Sequence, residues 1–318
     1  MRVLVTGSSG FVGRYLCEAL SAAPSVEVIS TSRADVSGLE PGIVSLDIDN
    51  FESVRAALRK YRPSHVVNLA AIASASDARA DPDGAWRTHV FGTLNLANAI
   101  LTDAPQCCLI QVGSGLVYGD ADCPQFGYHE GSPLAPADDY AVTKAAADLA
   151  LGALVRRGLR VLRMRPFNHT GAGQSEAFVV PHFAGQIARI EAGLSEPTMR
   201  VGNLLAERDF LDVRDVVSCY VRSIELSDSL DQGAIFNVAS GAPRRIGDIL
   251  DALLEMSEIP VRIEQDPLRV RPDEVMRIVG DASRASTTMG WRPKVAFDDT
   301  LADVLASARQ KVSRSGAC

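Results

Sequence analysis

Short β-branched or apolar runs alternate with amphipathic segments through the first half of the chain, and this alternation limits the folds open to it. Arg2 to Thr6, Val26 to Thr31, Gly42 to Leu46, His65 to Ala71, Cys107 to Val112 and Leu159 to Met164 read as strands. Val12 to Ala22, Phe51 to Tyr61, Trp86 to Leu101 and Tyr140 to Arg157 lie between them with helical spacing. Strands alternating with helices predict βαβ units, hence an α/β fold with a doubly wound parallel sheet. Beyond Arg165 the pattern loosens. Val179 to Glu191, Val213 to Leu226 and Arg245 to Met256 predict helices, Ala234 to Val238 and Val261 to Glu264 short strands, Arg269 to Asp273 a polar connection, and Ser313 to Cys318 a frayed end. A smaller, discontinuous second domain is expected. Residues 1–167 with about 211–240 would form the sheet domain, and 168–210 with about 241–318 the other.

Bulk properties exclude several classes. The 318 residues are 47% hydrophobic and 22% charged, enough apolar material for a sizeable core. A net charge of -7 argues against a nucleic-acid partner. The six cysteines show no CxxC spacing, and Cys107 and Cys108 are adjacent, so reduced thiols in the cytoplasm are expected rather than a disulfide framework or a zinc site. His169 and His182 lack nearby ligands in metal spacing, and no metal is expected. The start of the chain has no signal-peptide pattern, and no apolar stretch is long enough to span a membrane.

The first strand ends in Thr6-Gly7-Ser8-Ser9-Gly10-Phe11-Val12-Gly13 and opens a helix. A glycine turn in that place lets backbone N–H groups and the helix N-terminus hold a pyrophosphate. Gly7 allows the tight turn, Gly10 lets phosphates approach and Gly13 brings the helix close to the sheet. Such a turn alone also occurs as an ordinary βα connection. The second strand ends Ser30-Thr31-Ser32-Arg33, with no carboxylate before Asp35. A carboxylate there would hold the ribose of NAD, whereas a hydroxyl and an arginine accept a 2′-phosphate. Ser32 and Arg33 therefore point to NADP over NAD, although Arg33 on a loop could also be a solvated charge.

Tyr140-Ala-Val-Thr-Lys144 begins a helix, and positions i and i+4 share a face. A lysine ammonium so placed is expected to lower the tyrosine pKa and make the phenol a general acid. The serine of Gly113-Ser114-Gly115-Leu116-Val117-Tyr118-Gly119 follows a strand and stands 26 residues earlier. Tyr118 reads as a packing residue.

Glycine turn, serine and YxxxK in this order and spacing resemble the extended short-chain dehydrogenase/reductases. That resemblance implies a Rossmann-like cofactor domain, with Ser114 orienting a carbonyl and Tyr140 protonating it. Lys144 would grip the cofactor ribose. Asp47 and Ile48 would meet the adenine, and Leu69, Ala70, Ala71 and Pro166 would line the cofactor. The chain departs from the family at His89-Val-Phe-Gly-Thr93, where the family has asparagine first; any water or proton relay at that position is thereby put in doubt. Arg165-Pro-Phe-Asn168-His-Thr-Gly-Ala-Gly-Gln174, Phe178-Val-Val180-Pro181 and Arg208-Asp-Phe-Leu-Asp212 are similar to the GDP-4-keto-6-deoxy-D-mannose reductase group within that family. It implies NADPH-dependent reduction of that ketosugar at C4 to GDP-D-rhamnose, in a homodimer joined by a four-helix bundle from Trp86–Leu101 and Tyr140–Arg157. Asn168, Val180, Arg189, Arg200, Arg208, Arg271 and Glu274 would then hold the nucleotide sugar. Related dehydratases carry an acid directly after the serine, and epimerase-reductases a cysteine at the place of Leu116; Gly115 and Leu116 supply neither. Another epimerase or reductase of the family, or an NADP-binding sensor without turnover, stays open at this point.

Overall fold

The computed structural model describes residues 1–33, 42–119, 122–257, 259–267 and 275–315. Strand β1 (Arg2–Thr6) feeds the glycine turn and helix α1 (Phe11–Ser21), followed by β2 (Glu27–Ser32) and a two-residue β3 (Val44–Ser45). Helix α2 (Phe51–Tyr61) starts where the Asn50 side chain accepts from Ser53 N at 3.1 Å, an N-cap that satisfies a free donor of the first turn. Next come β4 (His65–Asn68), α3 (Ala75–Ala80), α4 (Pro82–Ala85) and α5 (Thr93–Asp103). The single helix expected over 86–101 is divided, because Trp86–Gly92 winds as a π-helix before α5 begins. Strand β5 (Cys108–Val112), a 3₁₀ turn (Gly115–Tyr118), α6 (Asp139–Val155) and β6 (Val161–Pro166) complete the first half.

The second half holds β7 (Asn168–Thr170), α7 (Val179–Glu191), β8 (Thr198–Val201), β9 (Glu207–Asp212), α8 (Val213–Glu225) and β10 (Ile235–Val238). It ends with β11 (Pro243–Arg245), α9 (Ile246–Glu255), β12 (Arg262–Gln265), β13 (Arg277–Ile278), α10 (Ser283–Met289) and α11 (Phe297–Ser315). The expected connection Arg269–Asp273 lies outside the described residues, as do residues 316–318 of the expected frayed end; α11 itself continues to Ser315.

Seven strands form one parallel sheet in the order β10-β6-β5-β4-β1-β2-β3. This is the Rossmann-like arrangement. Its central strands β1, β4 and β5 are buried on both faces, which is why they read as largely apolar runs. Val3, Val5, Ile110 and Met164 face Leu16 of α1 and Tyr220 of α8. Leu4, Val66, Leu109 and Val161 face Leu58 of α2, Leu96 of α5 and Leu151 of α6. A separate core gathers Phe183 and Ile187 of α7, Phe210 of β9, Leu250 of α9 and Leu301 and Leu305 of α11. Ala285, Met289 and Trp291 join the core of the large sheet, although the sequence assigns residues 241–318 to the smaller unit.

A buried ion cluster fastens α6 to β6. Both carboxylate oxygens of Asp148 are used, one 2.9 Å from Arg163 and the other 2.9 Å from Arg165. Asp148 and Arg165 are almost fully buried, so neither charge has water as an alternative partner.

Candidate active site

Strand order reverses between β1 and β4, and in open parallel sheets ligands bind beyond the strand ends at that point. A cleft of about 1530 Å³ lies there. Single-ligand pockets run to about 1,000 Å³, so this one has room for a dinucleotide and a second ligand together.

At one end the chain turns sharply at Gly7, whose φ of 66° is in the left-handed region. A Cβ on Gly13 would sit 2.2 Å from Gly7 O, so only glycine lets α1 start this close to β1. Gly10 caps α1 without a side chain, and the first-turn N–H groups of Phe11, Val12 and Gly13 are left for an anion. Ser9 Oγ and Ser32 Oγ are 3.5 Å apart, and Arg33 lines the same wall. Asp47, Ile48, Leu69, Ala70, Ala71 and Pro166 also line this part. Thr6 Oγ1 donates to Asn68 Oδ1 at 2.6 Å and accepts from Leu69 N and Ala70 N at 3.1 Å, which locks the two strand ends together. Asp35 lies outside the described residues. The donor set fits a dinucleotide with an extra phosphate: backbone N–H groups at the helix start, then hydroxyls and a guanidinium at the end of β2.

Midway along the cleft stand Ser114, Tyr140 and Lys144. Asp138 caps α6 by accepting from Ala141 N at 2.8 Å, which presents Tyr140 in the first turn. Ser114 follows β5 and caps the 3₁₀ turn, its Oγ accepting from Leu116 N at 3.1 Å. Ser114 and the Tyr140 phenol line the same stretch of the cleft. Lys144 Nζ donates to Val112 O at 3.3 Å and lies 5.8 Å from the centre of the Tyr140 ring. Burial holds the Lys144 ammonium down to about 8. The expected depression of the tyrosine is not found. Burial pushes Tyr140 up to about 12, with Ser114 opposing and Asp138 adding to the rise. Loss of hydration decides the shift, and the phenol stays protonated at neutral pH. The His89 ring stands edge-on to Tyr140, with centroids 5.5 Å apart.

Toward the other end, Asn168 of β7, Val180 of α7, Arg200 of β8 and Arg208 of β9 line the cleft. Arg189 does not. It turns to Glu176 at 2.9 Å, a partner 13 positions away on the preceding loop. Arg271 and Glu274 lie outside the described residues. Gln174, Glu176, Phe178 and Asn203 are lining residues to which sequence reasoning gave no role. His169 is another. Its Nδ1 donates to Phe167 O at 2.9 Å, and its ring stacks on Phe11 at 6.4 Å, so the substrate-side segment rests on the cofactor turn. Its place inside the Arg165–Gln174 motif was the available signal. Among the described residues no three His, Cys, Asp or Glu side chains gather in a metal-binding group. Tyr118 is buried, donating to Asn237 Oδ1 at 2.7 Å and accepting from Arg165 at 2.9 Å.

The model of the GDP-mannose 4,6 dehydratase family matches residues 4–304. The chain belongs to this family. Within it, the chain is 35% identical to GDP-6-deoxy-D-mannose reductase of Pseudomonas aeruginosa, over 98% of each protein. It is 26% identical to GDP-6-deoxy-D-talose 4-dehydrogenase of Aggregatibacter actinomycetemcomitans, over 91% of this chain and 92% of that one. A solved structure of RMD from Pseudomonas aeruginosa complexed with NADPH superposes with a TM-score of 0.86 at 32% identity, covering 98% of this chain and 99% of that one. Fold and relatives together make this member of the GDP-mannose 4,6 dehydratase family an NAD(P)-dependent oxidoreductase of the nucleotide-sugar class. No helix among the described residues is long and apolar enough to cross a membrane.

Proposed function

We propose that this chain reduces the C4 ketone of GDP-4-keto-6-deoxy-D-mannose with NADPH, giving GDP-D-rhamnose. The observation that carries the reaction is a protonated Tyr140 gathered with Ser114 and Lys144 in a two-ligand cleft. The identity of the sugar is taken from the relative that is 35% identical over 98% of the chain. NADPH, when bound, supplies the hydride. Ser114 and Tyr140 donate to the ketone oxygen and polarise it. As that oxygen gains charge, Tyr140 delivers its proton, and the Lys144 ammonium stabilises the phenolate left behind. Ser32 and Arg33 take the 2′-phosphate, and Asn168, Arg200 and Arg208 take the diphosphate.

Elimination, and epimerisation at a carbon next to the ketone, need a further acid/base group beside the serine; epimerisation at C4 itself needs only the tyrosine and an oxidised cofactor. The turn after Ser114 offers Gly115, whose missing Cβ makes room for the Phe167 ring, and then Leu116. Neither carries a proton. The family name therefore describes the ancestry of this chain, and simple ketone reduction describes its residues. The relative named for GDP-6-deoxy-D-talose favours one second reading, delivery of hydride to the opposite face of C4.

Residues 1–167 with about 211–240 would hold the cofactor, and 168–210 with about 241–318 the nucleotide sugar. We place the reaction in the cytoplasm, in keeping with free thiols at Cys17, Cys107, Cys108, Cys123 and Cys219. A homodimer through a four-helix bundle is supported by exposed Trp86, Phe91, Val142 and Leu149 on the π-helix and α6, which pack side by side. A panel of GDP-, dTDP-, UDP- and CDP-linked ketosugars, followed by NADPH oxidation, tests the assignment. Turnover of the GDP sugar alone is expected, and turnover confined to another nucleotide overturns the GDP reading. If Tyr140→Phe retains turnover, the general-acid role fails; binding of NADPH with no turnover of any sugar leaves the epimerase and the sensor.

A further inference from the structure

His89 has its whole hydrogen-bonding capacity committed inside the site. Its Nδ1 lies 2.8 Å from Thr143 Oγ1, and its Nε2 lies 3.0 Å from Ile72 N. The Thr143 hydroxyl is itself 2.9 Å from both Asp139 O and Tyr140 O. Those carbonyls only accept, and with the hydroxyl proton turned to them Thr143 Oγ1 accepts from His89 Nδ1–H. A neutral imidazole carries one proton, so Nε2 is a bare acceptor for Ile72 N–H. Ile72 O, 3.1 Å from Nε2, is served by the other tautomer, in which the Thr143 hydroxyl must turn to donate to Nδ1 and give up both helix carbonyls. Burial and the nearby Lys144 ammonium hold the ring neutral, its pKa down to about 3. Lys144 and Tyr140 are the titratable groups beside it.

The three partners are informative. Thr143 lies between Tyr140 and Lys144 in sequence, in the first turns of α6. Ile72 lines the cleft beside Ala70 and Ala71. The ring edge itself meets the Tyr140 ring at 87°. His89 sits on the π-helix Trp86–Gly92, and a π-turn displaces the following backbone relative to an α-helix, a feature often found at functional sites.

We propose that His89 is a positioning residue for the reductase reaction: with its ring proton on Nδ1, it joins the π-turn, the Ile72 loop and the first turns of α6, and so fixes Tyr140 against the ketone. It passes no proton to Tyr140 during turnover. This rests on the reductase reading, and the test separates the two.

His89→Leu removes both hydrogen bonds, His89→Asn keeps a donor and an acceptor, and Thr143→Val removes only the central hydroxyl. His89→Leu and Thr143→Val are each expected to lower kcat by about tenfold to a hundredfold, the scale of a misplacement near 1 Å, with KM for NADPH within about threefold of the parent. The double variant should be no slower than His89→Leu alone, since both break one connection. His89→Asn should recover most of the loss and keep the parent's pH profile. Nitrogen NMR of the parent protein should show Nδ1 protonated and Nε2 bare, unchanged from about pH 5 to 8, where an ordinary histidine titrates. Full kcat in a folded His89→Leu or Thr143→Val, no recovery in folded His89→Asn, a proton on Nε2, or titration in that range would each overturn the proposal. The NMR result needs no substrate, so it decides the tautomer even if every ketosugar fails, an outcome that would count against the reductase instead.

Discussion

Tyr140 and Lys144 are perturbed in opposite senses by the same burial, and together they set a pH dependence. Tyr140, raised to about 12, keeps its proton across the neutral range, as a donor to a developing alkoxide must. Lys144, lowered to about 8, holds its charge below that pH and loses it above. Reduction is therefore expected to be flat below pH 8 and to decline through about 8, the ammonium being the form that stabilises the phenolate. A kcat/KM profile checks this, and a decline only above pH 10 would show Lys144 to be unshifted. The pair was legible in the sequence as YxxxK, but the direction of the tyrosine shift was not, because burial depends on what packs over the helix. Arg33 makes a separate prediction. Arg33→Ala should raise KM for NADPH about tenfold to a hundredfold, the worth of one or two charge-assisted hydrogen bonds, and leave KM for NADH little changed. Arg189 marks the limit of reading residues one at a time. Its type fits a phosphate, yet the side chain pairs with Glu176, and nothing local in the sequence sets that choice.

At the scale of elements, α6 carries Tyr140, Lys144 and Asp148 at successive i+4 positions, so one helical face serves both chemistry and attachment. The first two reach the cleft, and the third anchors the helix to β6 through Arg163 and Arg165. Asp148→Ala would leave two buried guanidinium groups without their carboxylate. A loss of about 3–5 kcal/mol is expected, the cost of removing one partner of a buried ion pair. Denaturant melts of the two proteins measure it, and a loss below about 1 kcal/mol would place the pair among ordinary surface ion pairs. The central strands β1, β4 and β5 were legible because burial on both faces makes them largely apolar, and α2 and α7 fall where periodicity put them. The π-helix at Trp86–Gly92 was not, since one added residue per turn does not disturb an apolar pattern this short. The short strands β7, β8, β9, β11 and β13 were missed for a related reason: three of them meet in the small sheet around β9, where pairing partners far apart in sequence set the structure.

Over the whole molecule, two cores meet at one cleft, and the stacking of Phe11 on His169 ties the cofactor turn to the substrate-side segment. Exposed Leu149 on α6 belongs to the face assigned to the homodimer, and Leu149→Glu should shift the protein toward monomer in sedimentation velocity; a monomeric parent would contradict the assignment. The central claim is the reaction itself. Purified protein mixed with NADPH and GDP-4-keto-6-deoxy-D-mannose, with the product identified by NMR, tests it most directly. Rapid NADPH oxidation giving GDP-D-rhamnose is the predicted result. Formation of GDP-6-deoxy-D-talose would keep the reductase but reverse the face of attack, and no oxidation with this sugar would contradict the account.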